Sequence, residues 1–258
     1  MVHQRHLALL AIVFCVSSRA QDVLTFHNDA TRSGVQSRET ILNTSNVNSS
    51  MFGKVLSFNV DADIYTQPLY VSSYIMSDGK AHNVVLAATA HNTVYAFDAD
   101  GNNPASGYLW RKSLLGTGET WVSSTDVATG DISPDIGVVG TPVIDRASGT
   151  VYLVAKSKTT TSTPSFIQRL HALDLSNGTE KLNGPTMISA TAPGTGDGGG
   201  TVSFNALLNN QRCALLLAPT PNVNTGSSVF NCSETVSFIR GESFRFLNRA
   251  SKTPYFKA

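Results

Sequence analysis

The sequence predicts an all-β protein assembled from repeated four-stranded antiparallel sheets. Three observations lead there. First, "TVYAFDADG" (Thr93 to Gly101) and "RLHALDLSNG" (Arg169 to Gly178) are two versions of one phrase. Each reads apolar–x–Ala–apolar–Asp and then a short polar turn ending in Gly. Second, the text before each phrase repeats as well: a Pro (Pro68, Pro142), an apolar run, a turn, and a second apolar run. Third, only 14% of the 258 residues are charged, against about 25% in an ordinary soluble domain. Gly, Ser, Thr and Asn take their place, which favours strands and turns over exposed helices.

The elements follow in chain order. "MVHQRH" with Arg5, the apolar "LALLAIVFCV" and the small residues Ser18 and Ala20 predict a leader over residues 1–20, cut ahead of Gln21. Phe14 before Cys15 argues against a lipoprotein signal. No second apolar run reaches membrane-spanning length, so the mature chain is expected to be exported, secreted or periplasmic, without a membrane span. In an oxidising compartment Cys213 and Cys232 are free to pair, but two cysteines do not demand it. Sequons stand at Asn43, Asn48, Asn177 and Asn231.

After Pro68 the first copy reads as a strand, the turn "SDGKAHN", the strand "VVLAATA", and a third strand ending at Asp98. "YLWRKSLL" supplies a fourth. The second copy reads "VID", the turn "RASG", "VYLVAKS", and a third strand ending at Asp174. Val84, Val85, Val94 and Tyr95 in the first copy, and Val151, Tyr152, Val154 and Leu170 in the second, are strand formers. Their density predicts strands covered on both faces. A single such sheet is a poor globule and calls for a neighbour on each side, which is the reason to repeat it. Stacking four-stranded meanders face to face in a ring gives a β-propeller. Asp98 and Asp174 are expected to cap the turns that follow them, with Gly101 and Gly178 supplying the positive φ where the chain reverses.

In this pattern the chain resembles the pyrroloquinoline-quinone-type repeat, found in quinoprotein dehydrogenases and in non-catalytic propellers. Val94-Tyr95-Ala96-Phe97-Asp98-Ala99, Gly101 and Trp110 match its motif; Leu170-His171-Ala172-Leu173-Asp174 and Gly178 keep the frame, but "LNGP" stands where a second Trp would dock between blades. "FHNDATRSGVQSRETILNTSNVNSSMFGKVLSF" looks like the lead-in that helps such propellers close. The resemblance covers residues 22–218 and implies a partial propeller over residues 21–218: two full repeats and part of a third. The third copy is expected over residues 200–218, "GTVSFNALLNNQRCALLLA", with "FNALL" as its first strand, "NNQR" as the turn and "CALLLA" as the second strand. The motif is then lost in mid-blade, so residues 219–258 form a divergent tail, expected to arise from truncation or a shifted frame, or else a divergent final blade with "ETVSFIRG" as a strand. Two repeats and a fraction fall short of the about four to eight blades of a closed ring, so an exposed sheet face and self-association are expected.

No catalytic residue is predicted, and no cofactor or metal. Gly194, Gly196 and Gly199 spell G-x-G-x-x-G, but a strand, not a helix, is expected after them. "DADGNN" departs from a calcium loop at Asn103 and Leu109, and Asp61 and Asp63 form no ligand set. His27, His82, His91 and His171 are scattered; His82 and His91 fall in predicted turns and His171 at a packed ring position. The insertion 116–140, with Trp121, Glu119 and Asp126, is the one stretch suited to holding a ligand, and a long inter-blade loop is its plain reading. Pyrroloquinoline quinone and calcium belong only to the alternative, a fragment of a quinoprotein dehydrogenase. Against it, the adjacent cysteines of catalytic members are missing. The net charge of +1 gives no electrostatic case for nucleic acid. A non-enzymatic binding or scaffold module, with a protein or carbohydrate ligand, is the reading these residues favour.

Overall fold

A computed structural model describes residues 20–128, 130–196 and 199–219, with side chains through Leu217. It also gives the backbone of three later strands, Ser227–Cys232, Thr235–Arg240 and Ser243–Asn248. The described residues hold strands and no helix. Residues 1–19, where the leader is expected, lie outside them, as do most residues of the tail.

The first repeat folds as expected. β1 (Leu69–Ile75), β2 (Ala81–Ala88), β3 (Thr93–Asp98) and β4 (Trp110–Ser113) pair in sequence order as an antiparallel meander, sheet 1. The β1–β2 turn is tighter than the sequence suggested: it closes at Met76–Lys80 with Gly79 at φ 78°. His82 therefore sits in β2, opposite Tyr74, and not in a turn. Leu69, Leu86, Ala96 and Trp110 align in register across the four strands, and all four are buried.

The insertion is folded, which corrects its reading as a loop. β5 (Glu119–Ser123) and β6 (Asp135–Ile136) form a hairpin. β7 (Val143–Asp145), β8 (Thr150–Thr159), β9 (Phe166–Asp174) and β10 (Thr186–Met187) form the second meander. β8 is long enough to take two partners on one edge: β7 against Thr150–Tyr152 and β5 against Ser157–Thr159. The physical reason is that Thr120, Trp121 and Val122 are strand formers laid against a strand edge that β7 leaves open. All six strands make sheet 2.

β11 (Thr191–Pro193) and β12 (Thr201–Ser203) form a hairpin around the glycine-rich stretch. The third repeat then departs from expectation. "FNALL" is a turn and not a strand. The Asn205 carboxamide oxygen accepts from the backbone N–H of Leu207 (3.0 Å) and Leu208 (3.1 Å), a local closure that outcompetes strand pairing. β13 (Leu215–Pro219) begins within "CALLLA" and pairs with β14 (Ser227–Cys232), followed by β15 (Thr235–Arg240) and β16 (Ser243–Asn248) in sheet 3. "ETVSFIRG" thus contains β15.

Sheets 1 and 2 have two apolar sides, and alternation decides which residue faces which. On one face of sheet 1, Leu69, Val71, Val84, Leu86, Val94, Ala96 and Trp110 share a core with Ile144, Val151, Leu153, Ala155 and Leu173 of sheet 2. On the far face of sheet 2, Val143, Val154 and Leu170 meet Leu215 of β13. On the far face of sheet 1, Ala87, Tyr95 and Phe97 are covered by Phe58 and Val60 of the lead-in. Val94–Asp98 and Leu170–Asp174 are therefore strands of different sheets joined through a common core. Among the described residues the sheets do not close into a ring.

Residues 21–34 thread past β1, β7 and β13 in turn. Val23 bridges Tyr70 through two backbone bonds (2.8 and 3.0 Å). The Leu24 carbonyl accepts from Ile144 N–H (2.8 Å), and the Arg32 guanidinium donates to the Ala214 and Leu215 carbonyls (3.3 and 3.0 Å).

Candidate functional site

Asp98 and Asp174 act as turn caps. Asp98 Oδ1 accepts from Asp100 N–H (2.7 Å), and Asn103 Oδ1 accepts from Asp98 N–H (2.8 Å). Asp174 Oδ1 accepts from Ser176 N–H (2.8 Å) and its hydroxyl (2.6 Å). Gly101 and Gly178 have φ of 83° and 74°. "DADGNN" is thereby a turn knitted by its own side chains. Asp98 also meets His82, whose other ring nitrogen meets Asp78 (3.1 Å). The Asp98 hydrogen bond, ahead of the opposing effect of burial, raises the His82 pKa above its ordinary value.

Gly178 has a second role. A methyl group added there would lie 2.6 Å from the Trp110 ring. The Trp110 indole N–H donates to the Leu175 carbonyl at 2.9 Å. The tryptophan that ends the first repeat is therefore seated on the turn of the second, where only a glycine leaves room.

In the 116–140 hairpin the two expected carboxylates are each taken by a cation of sheet 2. Glu119 receives both nitrogens of the Arg169 fork (2.6 and 2.7 Å), the Ser157 hydroxyl (2.8 Å) and Gly116 N–H (3.0 Å). Arg169 above all holds the Glu119 carboxyl at a pKa of about 2. Asp126 accepts from Lys158 (2.6 Å) and from Ser123 N–H (2.7 Å). Burial acts to raise its carboxyl, and these hydrogen bonds outweigh it, leaving it below the usual range. Trp121 is stacked on His91 with ring centroids 3.7 Å apart, and His91 Nε2 meets Asp135 (2.9 Å). His91 lies in the β2–β3 turn, as the sequence indicated. Among the described residues no three His, Cys, Asp or Glu side chains converge as metal ligands.

The other candidates are dispersed. Asp61 accepts from Thr89 (2.8 Å), Thr93 and Arg111 (3.1 Å). The Asp63 carbonyl accepts from Ala90 N–H. His27 N–H donates to Gln67 (3.1 Å). His171 is 2% exposed and bonded to Glu180 (2.5 Å), a packed ring as expected. Gly194 N–H and Gly200 O close the β11–β12 hairpin (3.0 Å), so no helix N-terminus is offered to a phosphate.

Two features escaped the sequence reading. A cleft of about 610 Å³ opens on the far face of sheet 1, between Phe58–Asp61 and Tyr95, Tyr108 and Arg111. Phe58 stacks on Phe97 (4.6 Å between centroids), and Arg111 lies over the Tyr95 ring. The second is Lys156, 2% exposed on β8 and without a carboxylate partner among the described residues. Its ammonium donates to the Leu207 carbonyl (2.7 Å). Burial lowers its pKa from 10.5 to about 8. Only the apolar density around "LVAKS" hinted at that burial.

No protein-family model and no curated protein matches this chain.

Proposed function

We propose that the chain is an exported module of pyrroloquinoline-quinone-type repeats, arranged as part of a β-propeller, that works by binding and not by catalysis. The observation that carries this reading is the stacking of sheets 1 and 2 through one core, with Trp110 seated on the Leu175–Gly178 turn of the following repeat. That is the contact expected of consecutive propeller blades. A sheet that is apolar on both sides is an element for association, and a protein or carbohydrate ligand is the expected class. Glu119 and Asp126 support the non-catalytic reading, because their carboxylates are committed to Arg169 and Lys158 and tie the 116–140 hairpin to sheet 2.

The test is to add pyrroloquinoline quinone and Ca²⁺ to the purified chain and follow its absorbance and dye-linked oxidation of alcohols and sugars. The expected result is an unchanged cofactor spectrum and no turnover. Turnover would replace this reading with that of a quinoprotein dehydrogenase fragment. Export is tested separately by sequencing the N-terminus of the protein from its native host, which should begin at Gln21.

A further inference from the structure

The lead-in between Val35 and Leu56 is built unlike the rest of the molecule. Thirteen large apolar residues are exposed among the described residues, and eight of them lie here: Val35, Ile41, Leu42, Val47, Met51, Phe52, Val55 and Leu56. Their exposures run from 41% to 89%. The backbone of this strap is shaped by local turns: Asn43 Oδ1 accepts from Ser45 N–H, Asn46 Oδ1 from Asn43 N–H, and Asn48 Oδ1 from Ser50 N–H. So dense an exposed apolar stretch marks an interaction surface.

We infer that this strap is a homotypic interface occupied by a second copy of the chain. Three observations favour that occupant. The strap is continuous with a cover already in place: Phe58 and Val60 lie on Tyr95 and Phe97, and Leu56 packs over Gly101. The molecule already solves the same problem by setting sibling sheets face to face, and a second copy brings an identical sheet and an identical strap. The net charge of +1 opposes the approach of two copies only weakly. A standard interface buries about 800 Å² on each partner, and eight large apolar residues exposed this far supply a surface of that order. A two-fold arrangement, strap against strap, satisfies both copies at once and closes at the dimer.

This inference rests on the repeat reading for its account of sticky sheet faces, yet it is tested independently. Sedimentation of the purified chain should show a concentration-dependent dimer. Met51→Asp/Val55→Asp should raise the dissociation constant at least a hundredfold, while Leu182→Asp, at a site exposed elsewhere, should leave it unchanged. Far-UV circular dichroism must show β structure in all three; its absence from the unsubstituted chain would defeat the repeat reading and not only the interface. Should the double variant fail to fold, Val55→Cys takes its place. Mild oxidation should then link two copies, with a Val55→Cys peptide joined to its own twin by mass spectrometry. A monomer at every concentration, open-ended aggregates, a dimer unaffected by the strap substitutions, or no such linked peptide would overturn the inference.

Discussion

Lys156 shows how a single buried group sets a pH dependence. On that side of sheet 2, Gln168, its cross-strand partner, bonds the Ala206 and Asn209 carbonyls, and Leu207 O takes the ammonium. The folded pKa of about 8 lies below the ordinary 10.5. The unfolded chain therefore binds that proton more tightly, and stability rises with pH wherever it does so. The cost of charging is full below pH 8 and fades between about 8 and 10.5. At neutral pH it amounts to roughly 3 kcal/mol. Lys156→Met removes that cost but leaves the Leu207 carbonyl unpaired, at about 1 kcal/mol. Urea denaturation should therefore find the variant more stable by about 2 kcal/mol at pH 7, with the advantage gone by pH 10. Equal stabilities at both pH values would contradict this account of the lysine.

Among the elements, the hairpin of the 116–140 insertion is held to sheet 2 by Glu119 with Arg169 and Ser157. The Glu119 pKa of about 2 lies below its ordinary 4.5. Its contribution to stability is present above pH 4.5 and lost as pH falls toward 2. Glu119→Gln should lower stability at pH 7 by about 3 kcal/mol, since it leaves Arg169 half-buried without its carboxylate. The difference from the unsubstituted chain should vanish near pH 2 in acid-induced unfolding followed by circular dichroism. A difference that persists at pH 2 would mean that the glutamine disturbs packing and not charge. The elements that the sequence made legible are those with two independent signals. β3 and β9 carry both the strand formers and the closing Asp–Gly turn, so their ends at Asp98 and Asp174 could be placed. β5 carries strand formers without a repeat to frame it, and its partner, the far half of β8, is distant in sequence. "FNALL" has an apolar strand pattern, but Asn205 caps its own turn, and a side chain bonding two residues away leaves little trace in periodicity. The cleft by Phe58 was hidden for a related reason: it depends on which strand face the lead-in covers, and that follows from packing between segments.

Taken as a whole, sheets 1 and 2 are apolar on both faces, each face is met by another segment of the chain, and Trp110 joins one repeat to the next. The missing tryptophan of the second repeat was visible in the sequence. That Gly178 serves the tryptophan of the preceding repeat was not, since nothing in a linear pattern says which turn a ring will reach. The stacking of sheet on sheet is most directly tested by a double-mutant cycle on that contact, measured by urea denaturation. Gly178→Ala should destabilise the chain by about 2 kcal/mol or more, through both the positive φ and the clash with Trp110. On a Trp110→Ala background the clash is gone, and the same substitution should cost at least about 1 kcal/mol less. Strictly additive effects would mean that Trp110 does not rest on the turn of its neighbour, and would contradict the stacked arrangement.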